Sequence, residues 1–170
     1  MTVETTLAKV DADLRAGRIP VARQRLRSLV GRYPADLTVR RRLAEVYRLY
    51  GEPVEAGRWA YLEEERDEAE TAAFEGRYAD PRRRMRALAW RTSERTASTE
   101  TARARLAELR AAASAEEGRP VQWGQVSDPY RPNASDDDSG PWFCLGIGFV
   151  GLLLGAFAVL GMVTFAGWWF

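Results

Sequence analysis

LAEVYRLYGEPVEAGRWAYLEEE, residues 43–65, decides the fold. Leu43, Val46, Tyr47 and Tyr50 recur at spacings of three and four, which puts them on one face of a helix. Gly51 stops that helix and Pro53 opens the next, the usual asymmetry of helix ends and starts. Ala56, Trp59, Ala60 and Leu62 carry the second helix. The stretch is a helical hairpin. Working outward, Leu7, Val10 and Leu14 form an earlier helix that stops at Gly17, and a second helix starts near Pro20 with Val21, Ala22, Leu26, Leu29 and Val30, before Gly31 and Pro34.

The two hairpins are in register. Gly17 and Gly51 stand 34 residues apart, as do Ala22 and Ala56, and Leu26 and Ala60 continue the series. A helix–turn–helix unit with this period resembles the tetratricopeptide repeat over about residues 3–68. Gly51, Ala44, Tyr47 and Ala56 fit that resemblance well. The first unit departs from it, with Val10 where a small residue is usual and Asp13 where an aromatic is usual. The stretches at 43–65 and 87–110 (ALAWRTSERTASTETARARLAELR) also look like a family of small helical-repeat proteins of actinobacteria, a resemblance that implies a fold and no activity.

Beyond the repeat, Ala69, Ala72, Ala73 and Phe74 extend the fourth helix or begin a fifth. Pro81 opens another helix with Met85, Leu88, Ala89 and Trp90. A last one runs from about Ser98 with Leu106, Leu109 and Ala112. The expected class is all-α: antiparallel helical hairpins in a tetratricopeptide-like stack of about six helices. The helical domain is expected over 1–112 and a disordered linker, rich in Pro, Gly, Ser, Asn and Asp, over 113–141. Trp123 and Tyr130 fall in that linker.

Residues 142–170 contain no charge over 29 positions. One bilayer crossing needs about 20 apolar residues in a helix. Trp142 at one end and Trp168 and Trp169 at the other suit the two interfacial belts. A single C-terminal transmembrane helix is therefore expected. The start of the chain, with Glu4, Asp11 and Asp13, has no apolar run of the secretory kind. The expected location is the plasma membrane, single-pass, with the N-terminal domain cytoplasmic. Gly151 and Gly155 form a GxxxG step through which two anchors can dimerise.

Chemistry is narrowed by what is missing. The 170 residues include no His and one Cys, and 25 basic against 24 acidic residues leave a net charge of +1. No Ser has a His to activate it, and Cys144 sits in the uncharged run. No catalytic residue, metal ligand or cofactor is assigned, and the chain reads as a non-enzyme. The acidic stretch 63–75 lacks ligand geometry and reads as a solvated or Arg-paired face. Basic segments flank it, densest at Arg40–Arg42 and Arg82–Arg84 with Arg86. Neighbouring residues point about 100° apart, so no triplet makes one stripe, although Arg82 and Arg86 share a face. These arginines have three readings: internal pairing, a lipid or protein partner, or nucleic acid, the last disfavoured by the near-zero charge. The leading expectation is a membrane-tethered module binding a protein partner through Tyr47, Trp59, Arg82 and Arg86. An adaptor for anionic lipid or nucleic acid, or an accessory subunit of a membrane complex, is the alternative.

Overall fold

The computed structural model describes residues 2–126, which are helical with no strand among them. The helices are α1 (Val3–Arg15), α2 (Ile19–Arg32), α3 (Leu37–Leu49), α4 (Pro53–Ala60), α5 (Glu68–Arg77), α6 (Pro81–Leu88), α7 (Glu100–Glu117) and α8 (Trp123–Val126), with a 3₁₀ turn at Glu94–Thr96. Local chemistry sets their starts. The side chains of Thr2, Asp36, Asp67, Asp80 and Thr99 each accept a hydrogen bond from an orphan N–H of the following first turn. Asp67 makes α5 a helix of its own and not an extension of α4.

The ends of α1 and α3 are the same structure. Gly17 (φ 70°) and Gly51 (φ 68°) are both left-handed. Gly17 donates to the Leu14 carbonyl at 3.0 Å and Arg18 to Asp13 at 2.8 Å; Gly51 donates to Arg48 at 3.0 Å and Glu52 to Tyr47 at 3.1 Å. Each is a Schellman turn, in which glycine takes the left-handed position without a steric penalty. The 34-residue interval is thus a repeat of backbone geometry.

Short connections make α1–α2 and α3–α4 antiparallel packed pairs, and α5 packs on α4. Two apolar cores result. Val10, Ala22, Leu26, Val39, Leu43, Ala44, Tyr47, Ala56 and Trp59 belong to the first, and Leu62, Phe74, Met85, Leu88, Trp90, Leu106 and Trp123 to the second. They are joined where α6 ends. Ala89 is left-handed (φ 53°), which breaks α6 and leaves its last carbonyls without helical partners. Arg58 of α4 donates to the Ala87 carbonyl at 2.6 Å and Arg40 of α3 to Leu88 at 3.0 Å.

Several expectations need correction. The stack has more than six helices, and α2 continues through Gly31 to Arg32. Val21, counted with the apolar face of α2, is 41% exposed. The linker expected from 113 does not begin there, because α7 runs to Glu117 and buries Ala113, whereas Ala112 faces out. Gly118 ends α7, and the Ser114 hydroxyl accepts from the Val121 N–H at 3.0 Å, which turns the chain back. Val121, Trp123 and Val126 then cover the second core. Averaged composition missed this because three apolar residues among polar ones suffice when each is buried. Residues 127–141 of that linker and the anchor at 142–170 lie outside the described residues. Among the described residues no helix is long and apolar enough to cross a membrane.

Candidate interaction surface

Helices α1, α3 and α5 contribute to one charged face. Arg42 of α3 pairs with Asp11 of α1 and, at 2.6 Å, with Glu45. Arg48 of α3 reaches α5, where it donates to both carboxylate oxygens of Glu70 at 2.7 and 2.8 Å. Those hydrogen bonds raise the guanidinium pKa of Arg48 further above its usual value. Arg41 stands 3.7 Å from Glu63. Burial of Glu63 pushes its carboxyl pKa up, against the pull of Arg41 and Arg48. The acidic 63–75 segment is thus partly paired to neighbouring Arg. Next to Arg48, Leu49 is 62% exposed, an apolar residue at the edge of this face.

A cleft of about 440 Å³ opens at the start of α3, lined by Leu37, Arg41, Leu62, Glu63, Glu64, Glu65 and Thr99. One side chain fixes its acidic wall. Arg105 of α7 donates to the carbonyls of Tyr61 and Glu64, at 3.3 and 3.2 Å, and to that of Glu63. Burial lowers the Arg105 pKa from its usual value. The loop after α4 is thereby held by a residue more than 40 positions away in the chain.

Tyr47 and Trp59, expected at a partner-binding groove, are each 1% exposed and belong to the first core. Trp59 is enclosed by polar partners. Its indole N–H donates to Glu55 at 3.1 Å, and the guanidinium groups of Arg40 and Arg58 lie over its ring at 5.1 and 4.5 Å. Arg40 is itself only 1% exposed, and burial, with the nearby positive charge of Arg58, lowers its pKa to about 9. Arg82 and Arg86 do reach the surface, on α6. Arg82 pairs with Glu117 at 2.5 Å, and Arg86 is exposed. The structure brings Tyr47 and Trp59 into one core and places the two arginines on a separate helix. Trp142, Gly151, Gly155, Trp168 and Trp169 lie outside the described residues.

The repeat register accounts for the irregular first unit. At the 34-residue offset, Asp13 corresponds to Tyr47 and Arg25 to Trp59. Asp13 is 4% exposed and accepts from Arg25 Nε at 2.7 Å and from Arg18 Nη2 at 2.8 Å. An ion pair in the first unit stands where the second has two aromatics. Those hydrogen bonds, from Arg25 first and then Arg18, hold the Asp13 carboxyl below the usual carboxylate range. The period itself was the signal for this pair. Arg40 and Arg105 carry no such signal, since each acts through contacts distant in the chain.

Among the described residues no group of three or more His, Cys, Asp or Glu is placed to hold a metal ion. No curated protein and no solved structure matches the chain. A family model does, from residue 1 to residue 167, so it takes in the helical fold and nearly all of the uncharged run: the chain belongs to DUF6584, a family of unknown function.

Proposed function

We propose that the chain is a non-enzymatic, tetratricopeptide-like helical module, tethered to the plasma membrane by residues 142–170, that presents the α1/α3/α5 face to a protein partner on the cytoplasmic side. The observation that carries the partner reading is this face itself. It sets exposed Leu49 beside the Arg48–Glu70 and Arg42–Asp11 pairs, on α3, which repeats the backbone geometry of α1 at a 34-residue interval. An apolar residue rimmed by fixed charges is what a protein interface uses for contact and for register. The tether is supported by the 29 uncharged residues and their terminal tryptophans.

The test is crosslinking in native membranes followed by affinity capture of the full chain. Arg41→Glu combined with Leu49→Asp should abolish capture of the specific partner, whereas Arg32→Gln, exposed on α2 outside that face, should not. Capture that survives the double substitution in a folded protein would overturn the assignment of the face. Deleting residues 141–170 should release the protein from the membrane fraction. Continued sedimentation with membrane would remove the tether.

A further inference from the structure

Between α6 and α7 the chain turns through the 3₁₀ segment Glu94–Thr96, and this turn is fixed from inside. Trp90 is fully buried, and its indole N–H donates to the Ser93 carbonyl at 3.5 Å. That carbonyl also accepts from the Thr96 N–H at 3.0 Å and from the Thr96 hydroxyl at 2.8 Å. The Ser93 hydroxyl accepts from the Arg95 N–H at 3.3 Å, which leaves its own proton to donate. Arg110 of α7 and Gln122, on the segment that folds back after α7, complete the surroundings. A cavity of about 260 Å³ lies among them, with Arg91, Thr92 and Glu94 also in its lining.

The chemistry of this lining selects its ligand. Among the described residues the Arg91 guanidinium has no ion pair or hydrogen bond, and neither has the side-chain amide of Gln122. Glu94 is the single carboxylate in the lining, and it is already engaged: its Oε1 accepts from Nε of Arg110 at 3.1 Å and pairs with Nη2 at 3.0 Å. These contacts hold the Arg110 guanidinium in place and leave its remaining N–H groups to other acceptors. Two guanidinium charges against one carboxylate leave one positive charge in the cavity. Guanidinium, hydroxyl and amide donors thus converge from three separate segments of the chain. A phosphoryl group has oxygens to meet donors on several sides, and planar guanidinium donors match them, whereas a carboxylate offers two oxygens in one plane.

We propose that this cavity binds a phosphate monoester, with Arg91 and Arg110 on the phosphoryl oxygens and Ser93 and Gln122 completing the donor set. Bound there, the phosphoryl group bridges the 91–94 turn, α7 and the returning segment that carries Trp123 into the second core. A ligand held only by the folded chain stabilises it by mass action, and here the gain falls on that returning segment. The site shares no residue with the α1/α3/α5 face and does not depend on it. A small free ester and a phosphorylated side chain of another protein offer the same phosphoryl group, so separate probes distinguish these two sources.

The experiment is a phosphorus NMR titration of the full chain in dodecyl maltoside micelles with inorganic phosphate, glycerol phosphate and a capped, glycine-rich phosphoserine peptide. Saturable binding is expected, and Arg91→Gln should weaken it about tenfold, the effect of losing one charge-assisted hydrogen bond. Arg83→Gln, an exposed arginine of α6 outside the cavity, should leave it unchanged. Hydrogen exchange at residues 121–126 should slow severalfold with ligand in the parent chain and not in Arg91→Gln. Arg91 is exposed, so its replacement leaves the fold intact, and an unchanged urea midpoint checks this. Tighter binding of glycerol phosphate than of the peptide identifies a free ester as the ligand, and the reverse identifies a phosphorylated side chain. Failure of all three probes to saturate would overturn the proposal. So would undiminished binding by Arg91→Gln, or an equal loss in Arg83→Gln, either of which shows an adventitious surface interaction only.

Discussion

Gly57 of α4 lies against the backbone carbonyl of Glu70 in α5. A methyl group built on Gly57 would stand 2.1 Å from that oxygen and 2.6 Å from its carbon. The atoms in the way are main chain, so no rotamer change relieves the overlap. This contact sets how closely the repeat part approaches the rest of the fold, and the Arg48–Glu70 pair draws on the same residue from the other side.

Gly57→Ala should therefore destabilise the protein by about 1–3 kcal/mol, the usual range for overpacking. Gly76→Ala should do the opposite. Gly76 is in α5, and a Cβ there meets nothing within 4 Å. Replacing a helical glycine by alanine should add roughly 0.5–1 kcal/mol. Urea midpoints of the two variants give the comparison. A neutral Gly57→Ala would mean that α4 and α5 are not in contact there.

Gly17→Ala and Gly51→Ala should cost equal amounts, about 1 kcal/mol each, and should add in the double variant. Both sites are left-handed by nearly the same angle, and both have open space around a new Cβ. Only the backbone conformation differs in energy. Thermal melts of the single and double variants read this directly, and unequal losses would break the equivalence of the two turns.

Asp13 should make stability depend on pH. Its folded pKa is depressed by Arg25 and Arg18, so its contribution is complete above the unfolded value near pH 4 and is lost as pH falls through the folded value. Asp13→Asn should be clearly less stable than the parent at pH 7, with the gap closing below about pH 4. A gap that stays constant down to strongly acidic pH would show that the charge is not what matters.

Trp123→Ala should cost about 3–5 kcal/mol, as for a buried tryptophan. Trp123 is 2% exposed, against the second core. The urea midpoint should fall sharply, and amides of α7 should exchange faster. An unchanged midpoint would return residues 113–126 to the status of a linker.

Helix starts and stops were legible because their causes are local. Asp36, Pro53, Gly17 and Gly51 act on N–H and carbonyl groups within a few residues, and the sequence displays such neighbours. The candidate site was legible only in part. Periodicity groups Tyr47 and Trp59 on helix faces, but it does not say which face another helix will cover, and α3 and α4 cover theirs in the first core. The exposed side of α6 was half visible as the Arg82/Arg86 pair. Its outer position became clear once Met85 and Leu88 were seen buried on the other side.

By itself the sequence determined the all-helical class, the 34-residue period and the uncharged run of 142–170, since each follows from the spacing or composition of nearby residues. Tertiary structure alone decided the fate of single residues. It buried Arg40 against the Leu88 carbonyl, set Arg105 across the 61–64 loop and folded Trp123 back onto α7 and α6. The reason is range. A cap or a turn is satisfied within one helical turn, whereas Arg40 takes one of its acceptors, and Arg105 all three of its own, from more than 40 positions away, and only folding brings them within reach.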